Sequence, residues 1–141
     1  MIEGILGYKG NQAAAKVARQ TAEFNAQVAE NEAIILQRRK TDEEARMRQA
    51  SERTMATQRV ATAASGIQMS GSALQAMADS YFNTEMDALN IQYAADIEQT
   101  AKASEAALAR AEGRARSTAL KMASYQSLLS SAEKAASYGM S

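Results

Sequence analysis

Proline is absent from all 141 residues, and between Asn11 and Tyr138 glycine occurs only at positions 66, 71 and 113. These are the two residue types that break helices and mark turns, so a chain this poor in them has few places to change direction. Two of the three breakers fall together near the midpoint, in Ala64–Leu74, "ASGIQMSGSAL". The flanking residues are mostly Ala, Gln, Glu, Arg, Lys and Met, all good helix formers. Residues 11–65 therefore read as one long helix, 66–71 as a corner and 72–138 as a second long helix. Gly66 suits the left-handed position just past a helix C-terminus, which glycine takes without a Cβ clash. After Gly71, Ser72 suits an N-cap, and Gln75 completes a Ser-x-x-Gln capping box. The expected fold is all-α, a long antiparallel helical hairpin. Gly113, costing about 1 kcal/mol relative to alanine, marks where the second helix would bend or split.

Apolar residues recur at helical spacing along both arms. Val17, Thr21, Phe24, Val28 and Ile35 form one stripe, and the stripe then thins through the polar stretch 37–53. A second stripe runs through Leu74, Met77, Tyr81, Phe82, Met86, Leu89, Tyr93 and Ile97, and on through Leu108, Met122, Tyr125 and Leu129. Apolar bulk is nonetheless scarce: 32 residues are alanine, whereas Phe and Tyr total seven and Trp is absent. At roughly 25 cal/mol per Å², alanine supports thin seams between close helices rather than a thick core. Arms of about 80 and 95 Å, at about 1.5 Å per residue, would bury little as a lone pair. The stripes are accordingly expected to be completed by other copies of the chain, as in a coiled coil, or by another partner.

Sixteen basic and sixteen acidic residues cancel overall, so net charge favours neither nucleic acid nor an anionic membrane. Their placement is uneven. Residues 38–59 carry seven bases against four acids, a net of +3, while 79–98 carry five acids and no base. Folding about residue 69 sets position i near 138 − i. That register places Arg59 near Asp79, Arg53 near Glu85 and Lys40 near Glu98, at the expense of Asp42 near Asp96. Exposed pairs contribute only about 0–1 kcal/mol each, so they would specify register more than stability.

Histidine and cysteine are both absent. This removes the commonest general base, the thiol and imidazole metal ligands, and the Ser-His-Asp and Cys-His arrangements. Asp42-Glu43-Glu44 sit among arginines and read as a solvated, ion-paired face, and the glycines match no phosphate-binding loop. No catalytic, metal-binding or cofactor-binding residue is assigned, and no enzymatic activity is expected. Arg38, Arg39 and Lys40 could make incidental contact with DNA phosphates, as a DNA-binding linker would, but the acids beside and opposite them favour pairing within the chain.

No apolar run approaches the ~20 residues of a membrane span, and the N-terminus carries Glu3 in place of a secretory pattern. The chain is thus expected to be made and kept soluble in a cytoplasm. Residues 1–10, with Ile2, Ile5, Leu6 and Tyr8 around three glycines, read as a flexible docking segment. Tyr125, Leu128 and Leu129 form an apolar tail face. That face suits partner packing better than membrane contact, since it lacks a lysine-rich belt.

Residues 59–98, "RVATAASGIQMSGSALQAMADSYFNTEMDALNIQYAADIE", resemble the internal virion proteins of tailed bacteriophages, notably the small internal-core proteins of short-tailed phages. The likeness lies in a basic, Ala-rich helix (Arg59 to Ala64), a Gly-x-x-x-x-Gly-Ser corner (Gly66, Gly71, Ser72) and a following Glu85-Met86-Asp87-Ala88-Leu89 patch. The resemblance implies a structural protein housed in the particle near the portal or tail axis, in contact with portal, core or tail proteins. It also implies release at infection to help deliver DNA across the host envelope. The longer apolar N-terminal segment of members that enter a membrane is not seen here, so virion location carries over better than a membrane-channel role. Two other readings remain: a portal- or tail-associated structural component that is not ejected, and a cellular coiled-coil adaptor or secretion component.

Overall fold

A computed structural model describes residues 2–66, 68 and 71–139, with side chains for 5–66, 68 and 71–138. Two helices account for nearly all of it, α1 (Ile2–Ala64) and α2 (Ser72–Gly139), packed against each other as a helical hairpin. No strand occurs among the described residues. Contacts divide the hairpin into two compact units, residues 1–31 with 102–141 and residues 32–101.

The corner works largely as the glycines require. Gly66 has φ +70° and Gly71 φ +64°, both left-handed. α1 closes with Ser65 N–H donating to the Ala61 carbonyl and Gly66 N–H to that of Ala63. A Cβ on Gly66 would meet nothing within 4 Å, so any substitution there is penalised through the backbone alone. Gly66→Val is expected to lower stability by about 1–2 kcal/mol, and Gly66→Asn by clearly less; urea denaturation followed by circular dichroism reads both. At the other end the cap differs from the expected one. Gln75 N–H donates to the carbonyl of Gly71 at 3.1 Å, which makes Gly71 the N-cap and Ser72 the first helical residue. The Ser72–Gln75 capping box is not formed: Ser72 makes no side-chain hydrogen bond among the described residues. Glycine serves as an N-cap nearly as well as serine, and its left-handed φ is what the connection needs.

Two boundaries also shift. The helix begins at Ile2, so residues 2–10, expected as a flexible docking segment, are the first turns of α1. Nor does Gly113 split α2, which is one element throughout.

In the unit formed by 1–31 and 102–141, the interior is made of small residues. Ala26, Ala29 and Ala106 are buried in one cluster with Ala109 packed against it, and Ala15, Ser117 and Ser124 are buried as well. A Cβ built on Gly113 would land on the Cβ of Ala22, and 3.4 Å from the Ala18 carbonyl oxygen. Glycine is therefore at 113 because α1 passes too close for any side chain. Gly7 also sits against α2, where a Cβ would contact Ser127 Oγ at 3.6 Å. Ser124, fully buried, donates to the Lys121 carbonyl at 2.6 Å and accepts from Gln12 Nε2 at 3.3 Å. In the 32–101 unit the buried residues are again alanines, Ala33, Ala88 and Ala95. Ser51 and Thr84 share a hydrogen bond of 2.8 Å across the helices.

Candidate assembly surface

If small residues fill the interior, the large apolar ones must lie elsewhere. Successive helical residues turn by about 100°, so Phe82, Met86, Leu89, Tyr93 and Ile97, spaced by four, three, four and four, share one face. Ala88 and Ala95 lie across the helix from it. All five large residues are exposed, from 43% for Met86 to 69% for Tyr93. Leu74 and Tyr81 are exposed too, and with Met55, Met77, Arg59 and Glu85 they line a shallow groove of about 490 Å³ near the corner. In the other unit, Val17, Phe24 and Val28 on α1 and Leu108, Met122 and Leu129 on α2 also point outward.

The residues read as a docking group divide. Ile5, Leu6 and Leu129 are exposed and Leu128 is half-buried. Tyr8 and Tyr125 meet each other within the hairpin, ring centroids 6.2 Å apart and planes tilted by 58°, an arrangement that aromatic quadrupoles favour. The side chain of Ile2 lies outside the described residues.

The expected charge register is displaced. Glu85 receives Arg48 in a bidentate contact at 2.7 and 2.8 Å, and no ion pair joins it to Arg53. Arg48 is also held by Glu44 one turn back, at 2.9 Å, and these carboxylates, Glu44 first, raise its pKa. Lys40 pairs with Glu43 on its own helix at 3.4 Å rather than with Glu98. Arg53, Arg59, Asp79 and Glu98 are exposed and form no ion pair among the described residues, as do Arg38 and Arg39. Ser51 with Thr84, and Ala22 with Gly113, place partners near 135 − i in place of 138 − i. Close small-residue contacts set the register, and net block charge was too coarse to find it.

One charged device escaped the sequence reading. Arg110 reaches from α2 to two carboxylates on α1, Glu23 at 2.9 Å and Glu30 at 2.6 Å. Glu23 and Glu30 are seven residues apart, hence on one face, which was the available signal. Hydrogen bonds from Arg110 hold both carboxyls below their ordinary pKa, and the two together raise that of Arg110. A depressed carboxylate adds stability that is fully present above its unfolded pKa and is lost as pH falls through the folded one. Arg110→Met should therefore lower the melting temperature modestly at pH 7, and the difference from wild type should shrink as pH falls below 4.5. Melts at several pH values check this.

No group of three or more acidic, His or Cys side chains suited to a metal occurs among the described residues, and no described helix is long and apolar enough to cross a membrane. No protein-family model matches the chain, and no curated protein or solved structure matches it.

Proposed function

We propose that this chain is a structural protein of a tailed-phage particle, whose hairpins assemble inside the virion near the portal or tail axis and take part in genome delivery. The observation that carries the assembly role is the inverted distribution of apolar residues. Alanine, glycine and serine are inside, while Phe24, Phe82, Leu89 and Tyr93 face out. Exposed rows of this size at coiled-coil spacing are what an assembling protein requires of its surface. The phage assignment rests on the resemblance over residues 59–98. In this reading function resides in packing and release, with no chemistry asked of any side chain.

Mass spectrometry of purified particles carrying the gene, before and after triggered ejection, tests it. The protein is expected in filled particles and lost from emptied ones. Retention in emptied particles would assign it to a permanent portal or tail component. Absence from both would overturn the virion reading in favour of a cellular adaptor.

A further inference from the structure

Residues 32–101 present two different outward faces. On α2 the stripe Phe82, Met86, Leu89, Tyr93 and Ile97 is exposed and bordered by Asp79 and Asp96, with no base anywhere in 79–98 and Arg59 of α1 beside its Phe82 end. On α1, Arg38, Arg39, Arg46 and Arg53 are exposed and lie on the side away from the buried Ala33, with one acid, Asp42, among them. None of these four arginines or two aspartates forms an ion pair among the described residues, and across the hairpin in this unit Arg48 pairs with Glu85. Two stripes of α2 facing each other would bring acid against acid. The stripe against the arginine face of another copy brings acid against base, and lays arginine stems and guanidinium groups on Phe82 and Tyr93.

We infer that copies of this chain associate head to tail through the 32–101 unit, the acid-bordered apolar stripe of α2 in one copy seated on the arginine face of α1 in the next. The inference rests on the assembly part of the proposed function and names its contact. Such a contact is heterologous, so each added copy leaves one free face of each kind, and the series ends only by closing into a ring.

The test is sedimentation velocity of the full chain over a range of concentration and salt. Wild type is expected to associate, and to do so less as salt rises. Replacing Arg38, Arg39, Arg46 and Arg53 all with Glu makes both faces acidic, and Asp79→Lys with Asp96→Lys makes both basic. Each multiple variant alone should associate on the order of tenfold more weakly or worse. Mixed in equal amounts they should recover the wild-type mass, since every contact in an alternating series is again acid on base. A monomeric wild type, an acidic-face variant that associates normally, or a helical pair that fails to recover on mixing would each overturn the inference. Should a variant lose helicity, wild type decides: association indifferent to salt also overturns it. Virion content is read separately, so a failure here leaves the ejection experiment intact, and the reverse.

Discussion

Replacing Gly113 with alanine is expected to destabilise the hairpin, although alanine is the better helix former. By helix propensity alone the exchange should gain about 1 kcal/mol. Against this, the new Cβ falls on that of Ala22, a rigid atom attached directly to the α1 backbone. It cannot rotate away, so the helices must separate locally and uncover their neighbours. Overpacking of this kind costs about 1–3 kcal/mol, leaving a net loss of up to about 2 kcal/mol. Gly113→Leu, with no room for its branch, should lose about 3 kcal/mol or more. The decisive variant is Gly113→Ala combined with Ala22→Gly, which restores the space by exchanging the two residues. Its propensity terms cancel, so its stability should return close to wild type, with a coupling of about 1–3 kcal/mol between the sites. Urea denaturation at fixed protein concentration reads wild type, the two Gly113 variants, Ala22→Gly alone and the double exchange. Stabilisation by Gly113→Ala alone would mean that α1 does not pass close to this point.

That glycine also marks the limit of what local sequence specifies. The hairpin, the corner and the left-handed Gly66 follow from how few breakers the chain contains, because few breakers leave few alternatives. Which face of each helix turns inward does not follow. An Ala-rich row and a Phe-Leu-Tyr row are both apolar and both helical in period, and period alone cannot say which meets the other helix. Only the separation of the helices decides, and a close approach excludes everything larger than Ala, Gly and Ser. The packing role of Gly113 is hidden for the same reason, since its partner Ala22 lies ninety-one positions away in sequence. The Arg110 clamp on Glu23 and Glu30 needs that register before it can be recognised. Counting charge by blocks displaced it by about three residues. Ser72 and Gly71 are both acceptable caps, and only the carbonyl accepting from Gln75 distinguishes them.

The outward stripe makes the complementary prediction: a change that leaves folding alone and removes assembly. Phe82, Leu89 and Tyr93 are 64%, 51% and 69% exposed in the single chain, so each retains much of its apolar surface for a partner. Full burial of such a side chain contributes about 1.5–3 kcal/mol, and the half still uncovered accounts for roughly 1 kcal/mol on that scale. Replacing all three with glutamine should weaken association by about 3 kcal/mol, or roughly a hundredfold in dissociation constant. Glutamine is itself a good helix former, and none of the three positions belongs to the alanine seam. Helical content and the melting temperature of the dilute, unassembled protein should therefore stay near wild type. Sedimentation combined with circular dichroism separates the two effects. Wild-type association by the triple variant would show that the stripe is not where copies meet. A loss of helix in dilute solution would show that it supports the hairpin itself, and the division of labour between small inner and large outer residues would fail. The two exchanges thus work in opposite directions: adding one methyl group at Gly113 disturbs the hairpin, while removing three large side chains from the stripe disturbs only what hairpins build together.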